Sequence, residues 1–529
     1  KCQFSQARGD ECQRCGANYE ATDLIQPISK VSGLPLVLKP TTHWFLRFDL
    51  FKQKLSDWLI PKDWKSNVLH FASSYVEDLK ERSITRDMDW GVPVPLPHAQ
   101  GKVFYVWFDA PIGYISATKE WAENQREPEK WKKYWFDPKT KLVQFIGKDN
   151  IPFHALFFPA MIMGQNQPYK LVDELPANEF YNLEGKQFSK SDGWYIDLES
   201  FFSSFSADQI RYTIAANAPE IQDSEFTWKD FQMRCNVELL GKYGNLVNRV
   251  LVFTKELLSG RVPPRLGLVE EDRLFLDKIK NIVSQTEAAY ASFRLRKASQ
   301  LIMELAQAGN AYLKIKKPWI LARNESTFSQ MQTTISCCLE CLKLLALISC
   351  PIIPQSAQKI FSMLGFKDSL EKANWYQVLE SLIPVGTALP DPKILFTKVE
   401  GETIVEQKKN LSSHVLKQPK KNIEVSIEDV RKLNLRVAQI IAVERVAKSK
   451  KLLKLLMDLG SEKRQIVSGI GEKITDLTSL IGKKVMIITN LKPTKIMGIE
   501  SQGMLFASHT EQGPEPLEVP LAAMGAKIS

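Results

Sequence analysis

The first part of the chain alternates short apolar runs with glycine and proline, and a long stretch of helical periodicity follows. The continuous apolar run Val103–Phe108 ends at Asp109 and predicts a parallel strand buried on both faces. Val143–Ile146 repeats the pattern and leads into the polar turn Gly147–Asn150. Two successive strand–turn–helix units predict a doubly wound α/β sheet, in which both polar turns face one crevice.

Helical spacing continues from residue 228 to 390, broken near Pro263 and Pro351, and predicts a helical bundle. Residues 398–424 are rich in Lys, Glu, Gln and Ser with few large apolar residues, so we expect a linker there. Short β-type runs then predict a small, strand-rich last domain. The expected strands are Val437–Ala442, Leu455–Leu459, Gln465–Ser468 and Val485–Thr489.

Composition narrows the class of protein without defining it. The 529 residues are 44% hydrophobic and 25% charged, which is typical of a soluble globular protein with several domains. A net charge of +10 fits a polyanionic partner such as RNA. No apolar run approaches the roughly 18 residues of a membrane span. Eight cysteines in this length indicate no disulfide scaffold, so a reducing cytoplasm is expected.

Three cysteines near the start have the spacing of a metal site. Cys12 and Cys15 are separated by two residues and followed by Gly16, which is the turn of a zinc knuckle. Cys2 can supply a third thiolate, and the fourth ligand stays open. The competing interpretation is a surface turn with unrelated cysteines. The later cysteines, at 235, 337, 338, 341 and 350, lie among apolar residues and are expected to be buried.

A predicted small turn contains a lysine between two serines. The segment is Leu183–Ser191, in which Gly185 precedes Gln187, Phe188, Ser189, Lys190 and Ser191. Alone, this is a common surface turn. It resembles the KMSKS loop of class I aminoacyl-tRNA synthetases, in which the first lysine is replaced here by Gln187 while the second, Lys190, is kept. We call residues 187–191 the lysine loop.

Two further motifs extend the resemblance to the methionyl-tRNA synthetase family: Trp107–Tyr114 and Gly147–Asp149. The resemblance covers essentially the whole chain in the family's order. It implies an α/β class I Rossmann-like catalytic domain with a zinc-knuckle insertion, an α-helical anticodon-binding bundle and a C-terminal OB-fold β-barrel. The expected bounds are 1–86 for the partial insertion, 87–204 for the second half of the catalytic domain, 205–397 for the bundle, 398–424 for the linker and 425–529 for the OB-fold.

The resemblance also implies roles for individual residues. Lys190, Asp149 and Arg86 are the expected catalytic residues, and the whole lysine loop is expected to bind ATP. The side-chain pocket for methionine is expected to be walled by Trp107, Ala110, Pro111, Tyr114, His154 and Phe158. Aromatic edges accommodate a thioether sulfur well, and we expect Tyr114 or His154 to donate to it. The competing interpretations are a packed core around Trp107 and His154, and an exposed loop at Arg86.

In the bundle, Asn245 and Arg249 stand four residues apart, on one helix face, and Trp319 follows Pro318 at a helix start. The resemblance assigns Asn245, Arg249 and Trp319 to the anticodon-binding surface, where bases can stack on Trp319. Polar helix surface and a packed tryptophan are the alternative. The last domain is expected to bind tRNA and to mediate homodimerisation.

The resemblance implies methionine–tRNA ligase activity, with L-methionine, ATP and tRNA(Met) as substrates, Mg²⁺ arriving with ATP, and structural zinc. None of the six histidines sits in a His-x-Gly-His motif. We therefore expect that part of the catalytic domain precedes residue 1 and that the isolated chain does not form adenylate. Two alternatives are a class I ligase for another amino acid and a non-enzymatic tRNA-binding protein.

Overall fold

The computed structural model describes Phe4 and residues 21–29, 32–190, 193–417, 427–447, 449–472, 474, 476–510 and 513–528. The chain divides into two compact units. One comprises residues 37–419, and the other combines residues 1–36 with 420–529. Within the described part of residues 1–36 there is one short helical turn, Ala21–Asp23, and a bridge between Ile28 and Pro35.

The first part of residues 37–419 combines short strands with helices. Its strands are Phe45–Leu46, Arg82–Ser83, Thr85–Asp87, Lys102–Phe104, Ile146–Gly147, Ala177–Asn178, Tyr181–Leu183, Lys186–Gln187 and Ser224–Phe226. Its helices include Lys52–Leu59, Ser66–Glu77, Val106–Asp109, Ile112–Asn124, Lys132–Trp135, Phe153–Phe157 (a π-helix), Phe158–Met163, Leu198–Ser204, Ala207–Ala216 and Trp228–Met233. Two strand pairs are parallel, Ile146–Gly147 with Ala177–Asn178 and Tyr181–Leu183 with Ser224–Phe226.

The prediction for Val103–Phe108 is wrong. Residues Lys102–Phe104 form an antiparallel pair with Thr85–Asp87, and Val106–Asp109 is already helical. A continuous apolar run fits a buried strand or a helix start equally well, because periodicity does not separate them. The expected parallel strand before Gly147 does form, although only Ile146 and Gly147 pair as a regular strand.

A bundle of long helices follows, as the periodicity predicts. Its helices are Arg234–Gly244 (π), Asn245–Leu258, Glu270–Ala291, Leu295–Lys316, Pro318–Leu321, Phe328–Ser349, Pro354–Met363 and Trp375–Glu380. A Cβ atom on Gly309 would approach Leu246 to 2.6 Å, so glycine permits the close crossing of two of these helices. In the described part of the chain, the stretch Glu325–Ser349 is long and apolar enough to cross a membrane, but it is the buried core helix of this bundle.

The cysteines of the bundle lie where the sequence predicts. Cys235, Cys337, Cys338 and Cys341 are buried in its core, and Cys350 is partly buried against it. Burial raises the pKa of the Cys337 thiol to about 11. These thiols are therefore protonated, apolar packing groups.

The prediction that residues 398–424 form a linker is wrong for most of the segment that the structure describes. Gly401–Lys417 is an α-helix. Ile404 and Leu411, seven residues apart on one helix face, are buried in the core of the bundle. Lys408 lies 3.4 Å from Glu184, and Asn410 donates to the Ser200 hydroxyl over 3.4 Å. Composition alone predicts a linker here. Two buried apolar residues on one helix face instead pack this segment against the bundle.

The C-terminal unit contains an antiparallel sheet, which confirms the four predicted strands with small shifts of their ends. The strand order is Lys463–Ser468, Leu453–Asp458, Leu435–Arg445, Lys484–Ile488 and Met504–Leu505, and Lys527–Ile528 also pairs with Leu435–Arg445. Hairpins Thr494–Ile496/Ile499–Ser501 and Ala507–Thr510/Gly513–Pro516 extend from the sheet, and a short helix, Ile427–Arg431, precedes it. Gln502 donates its N–H to the Gln465 carbonyl (2.8 Å), which curls the sheet towards its first strand.

Candidate active site and RNA-contacting surface

A buried histidine and a tyrosine are joined by one hydrogen bond. His154 Nδ1 lies 2.9 Å from the Asn150 carbonyl, and its Nε2 lies 2.8 Å from the Tyr114 hydroxyl. A carbonyl only accepts, so Nδ1 carries the proton and the neutral ring accepts from Tyr114 at Nε2. Burial lowers the pKa of His154 below its ordinary 6.5, although the bond to Asn150 opposes this shift. The neutral ring therefore accepts a hydrogen bond from the Tyr114 hydroxyl.

This network changes one expectation about the sulfur of methionine. While His154 is neutral, its one N–H is bonded to a carbonyl, and the Tyr114 proton is bonded to His154. The predicted donation from Tyr114 or His154 to a thioether therefore requires that this network be broken. The aromatic surfaces, rather than a free donor, are what these two residues present in the structure.

Further aromatic rings continue this surface. The Trp107 ring stacks on Phe153, with centroids 4.7 Å apart, and Phe158 lies edge-on to Tyr114 at 6.3 Å. Phe158 is buried, Trp107 is partly buried and Tyr114 is exposed. Pro111 is buried and Ala110 is exposed, at the start of the helix that carries Tyr114. We call Trp107, Tyr114, His154 and Phe158 the aromatic wall.

The helix beneath the wall has an unusual geometry. Residues Phe153–Phe157 are π-helical, which is rare and frequently found at functional sites. Every residue from Ile151 to Ala160 is buried. His154 and Phe158 are therefore held by a packed helical support.

Arg86 and Asp149 occupy different environments. Arg86 lies in strand Thr85–Asp87, and not in an exposed loop. Its guanidinium donates to the Ser83 and Thr85 carbonyls (3.2 and 2.8 Å) and lies 4.0 Å over the Tyr105 ring. Asp149 is exposed, and its carboxylate bends over Gly147, where a Cβ atom would come within 2.7 Å of it. A side chain at position 147 would therefore displace the Asp149 carboxylate from its present position.

The lysine loop leaves a tight two-residue hairpin. Glu184 and Gly185, at φ +46° and +79°, connect strands Tyr181–Leu183 and Lys186–Gln187. Ser189 and Trp194 then exchange backbone hydrogen bonds of 2.9 and 2.8 Å across the turn that contains Lys190. Gln187, Phe188 and Lys190 are exposed. Ser191 lies outside the described residues.

The bundle brings two of the three predicted anticodon residues into contact. The Arg249 guanidinium lies 5.8 Å from the Trp319 ring centroid, and Phe253 lies 5.4 Å from the same ring. Asn245 is exposed one turn before Arg249, where its amide donates to Asn310 over 3.2 Å. Phe253 and Asn310, which contact these residues, are not among the predicted ones. Phe253 could have been found, because it repeats the four-residue spacing of Asn245 and Arg249.

The predicted zinc ligands Cys2, Cys12 and Cys15 lie outside the described residues. Among the residues that are described, no group of three or more His, Cys, Asp or Glu side chains is arranged to hold a metal ion. The metal prediction therefore stays a prediction.

Comparison with known sequence families matches three successive regions. Residues 1–251 match the family described as tRNA synthetases class I (M), and residues 262–415 match the anticodon binding domain of methionyl tRNA ligase. Residues 435–525 match a putative tRNA binding domain. The bounds that we predict for the domains are not tested by these matches and stay predictions.

Individual relatives agree with these families. The chain is 55% identical to the methionine–tRNA ligase of Protochlamydia amoebophila, over all of this chain and 78% of the relative. It is 40% identical to that of Christiangramia forsetii, over 97% and 76% of the two chains. Among solved structures, Mycobacterium tuberculosis methionyl-tRNA synthetase in complex with methionyl-adenylate superposes with a TM-score of 0.63 at 25% identity, covering 72% of this chain and 74% of that one.

The fold, with its helical anticodon-binding domain and C-terminal tRNA-binding sheet, is that of a class I aminoacyl-tRNA synthetase. Within that class, the chain belongs to the methionine–tRNA ligase family. Membership of this family implies the use of ATP with Mg²⁺. The expectation that catalytic sequence precedes residue 1 is not tested by these alignments and stays a prediction.

Proposed function

We propose that the protein activates L-methionine with ATP on the surface formed by the aromatic wall and the lysine loop, and then esterifies tRNA(Met). The methionine carboxylate attacks the α-phosphorus, forming an O–P bond and breaking the bond to pyrophosphate. A terminal ribose hydroxyl of the tRNA then attacks the carbonyl carbon and releases AMP. The observation that carries the proposal is the Tyr114–His154–Phe158 cluster, set on a buried π-helical support.

The aromatic wall supplies selectivity. A methionine side chain is long, apolar and polarizable, and it gains dispersion energy against stacked rings. A purely apolar pocket discriminates one methylene by only about 1–3 kcal/mol. The polar Tyr114–His154 pair adds a fixed dipole next to the position of the sulfur, which an aliphatic side chain cannot use.

The lysine loop supplies charge. Lys190 stands on an exposed turn and neutralises the negative charge that develops on the phosphates during displacement. Asp149, exposed at the end of strand Ile146–Gly147, orders the polar side of the same crevice. Arg86, held against Tyr105, supports this crevice by charge and by position. The protein thus acts by positioning and by charge stabilisation.

Methionine-dependent ATP–pyrophosphate exchange in the full-length enzyme tests this proposal. Leucine, isoleucine and valine are assayed beside methionine. We expect exchange with methionine, and only weak exchange with the aliphatic amino acids. Equal exchange with leucine would show that the wall does not read the sulfur. Absence of exchange with every amino acid, in a protein that still binds tRNA, would favour a non-enzymatic tRNA-binding role.

We further propose that Asn245, Arg249 and Trp319 contact the anticodon. Stacking of a base on an aromatic ring contributes about 1–3 kcal/mol, so Trp319→Ala should raise the KM for tRNA about 5- to 150-fold. Pyrophosphate exchange should not change, because it needs no tRNA. Arg273→Ala, an exposed arginine on another helix of the bundle, is the matched control. An equal loss in exchange and aminoacylation would instead indicate a packing role for Trp319.

Two finer properties are proposed from the sequence. Structural zinc is proposed on Cys2, Cys12 and Cys15, supported by the Cys-x-x-Cys-Gly spacing. Zinc content should fall in Cys12→Ser and stay constant in Cys350→Ser.

The second property is homodimerisation through residues 425–529, which the resemblance implies form an OB-fold. Sedimentation of the protein with and without that segment tests this proposal. Cytoplasmic location remains an expectation from cysteine usage.

A further inference from the structure

One partly buried lysine joins two regions of the proposed active site. Lys148 Nζ lies 2.8 Å from a Glu179 carboxylate oxygen and 2.7 Å from Asp223 Oδ1. The ammonium also lies 4.2 Å over the ring of Phe180. Each of these contacts is made to a residue far from Lys148 along the chain. The cluster is therefore a tertiary junction.

Both carboxylates are themselves held in place. Glu179 accepts from the Asn67 amide over 2.7 Å, and Asp223 Oδ1 also accepts the N–H of Phe180 over 3.0 Å. Burial alone lowers the pKa of Lys148, but its hydrogen bonds to Asp223 and Glu179 outweigh burial and raise it. Burial raises the pKa of Asp223, but the hydrogen bonds from Lys148 and from the Phe180 N–H, together with the charge of Lys148, more than reverse that shift. Lys148 and Asp223 thus form a charged pair at neutral pH.

The junction connects the two parts of the site described above. Lys148 lies between Gly147 and Asp149, in the turn that leads to His154. Glu179 and Phe180 lead into strand Tyr181–Leu183, which begins the hairpin before the lysine loop. Asp223 directly precedes strand Ser224–Phe226, which pairs with that same strand. The ammonium therefore ties the turn of Asp149 to both strands at the base of the lysine loop.

We propose that Lys148 is a positioning residue, which sets the turn of Asp149 and His154 relative to the strands that carry the lysine loop. Its charge is already met by two carboxylates, so it is not a phosphate ligand in this arrangement. A small displacement between the two regions separates the methionine carboxylate from the phosphate it attacks. Misplacement by about 1 Å can cost about 100-fold in rate.

The test is a double-mutant cycle of Lys148→Met and Asp223→Asn, measured by methionine-dependent pyrophosphate exchange in the full-length enzyme. We expect each single variant to lower kcat about tenfold to 100-fold. The KM for methionine and for ATP should change less than about threefold, because binding contacts are retained. The double variant should be no worse than either single variant, since both break one junction. Lys148→Arg should recover most of the rate.

Three controls distinguish a positioning role of Lys148 from other roles. Lys141→Met removes a more exposed ion pair with Glu174 (3.1 Å) and should leave kcat unchanged. Thermal unfolding shows whether Lys148→Met still folds, and Lys148→Arg provides the comparison if it does not. A raised KM for ATP in Lys148→Met, with additive effects of Asp223→Asn, would overturn the proposal and make Lys148 a phosphate ligand.

This inference rests on the proposed function, and the two can fail separately. If the unsubstituted enzyme shows no methionine-dependent exchange, the proposed function fails. If that enzyme is active and Lys148→Met is equally active, only the positioning role fails.

Discussion

The aromatic wall and the lysine loop differ in how they are held. His154 and Phe158 are buried, lie on a helical support and contact Tyr114 within their own cluster. The lysine loop projects from a two-residue hairpin, and Phe188 and Lys190 are exposed. The surface proposed to select the amino acid is thus built on packed side chains. The segment proposed to supply charge is instead an exposed turn.

The same substitution in the two regions should have very different effects on stability. Phe158→Ala should lower the free energy of unfolding by about 3–5 kcal/mol, because it opens a cavity beside Trp135 and Ile162. Phe188→Ala, with that side chain 43% exposed, should change it by no more than about 0.5 kcal/mol. Urea denaturation of both variants measures the difference. Equal losses would mean that the loop is packed as firmly as the wall.

Removal of the loop's cation should affect rate without affecting stability. Lys190→Ala should lower kcat for pyrophosphate exchange about 100- to 1,000-fold, the usual cost of losing one preorganised charge contact. Its unfolding midpoint should match that of the unsubstituted enzyme. Lys139→Ala, another exposed lysine, is the control and should retain full activity. A loss in kcat of less than about threefold would show that Lys190 has no role in the reaction.

Removal of a single hydroxyl tests the polar part of the wall. Tyr114→Phe retains the ring and deletes the 2.8 Å bond to His154. Methionine binding should weaken by no more than about 1 kcal/mol, because the lost bond joins two protein groups and affects the ligand only through the dipole of the Tyr114–His154 pair. Calorimetry or the KM for methionine can detect this change. Norleucine, which lacks the sulfur, should lose less. An equal loss for both ligands would indicate that the hydroxyl acts only on packing.

The smallest expected effect is on the pH dependence of stability. The folded state binds fewer protons than the unfolded state at His154, because burial lowers its pKa below 6.5. This contribution to stability is present above the unfolded pKa and is lost as pH falls below it. Urea denaturation from about pH 7 to about pH 5 should show that the free energy of unfolding falls less in His154→Gln than in the unsubstituted protein. An identical slope would mean that His154 titrates normally.

Local patterns predicted some parts of this molecule well. The bundle and the four strands of the last domain follow from periodicity, and the structure contains each of them. The resemblance also placed Tyr114 and His154 on one surface, and they are in contact. These features depend on residues close together in sequence or on motifs that are individually distinctive.

Other features were not predictable, for identifiable reasons. The π-helical turn beneath His154 depends on packing from all sides, and the pattern of apolar residues there is the same as in an ordinary helix. Ile404 and Leu411 pack the helix Gly401–Lys417 against the bundle. The overall composition of that segment is polar and does not reveal these two positions. The Lys148 junction joins residues that are far apart in sequence, and no local signal marks it.

The wall is proposed to govern methionine binding, and the lysine loop is proposed to govern the rate. The most direct test measures KM for methionine and kcat for pyrophosphate exchange in Tyr114→Phe and Lys190→Ala, side by side. We predict that Tyr114→Phe raises KM with little change in kcat, and that Lys190→Ala lowers kcat with little change in KM for methionine. A fall in kcat for Tyr114→Phe, together with a raised methionine KM for Lys190→Ala, would contradict this division of roles.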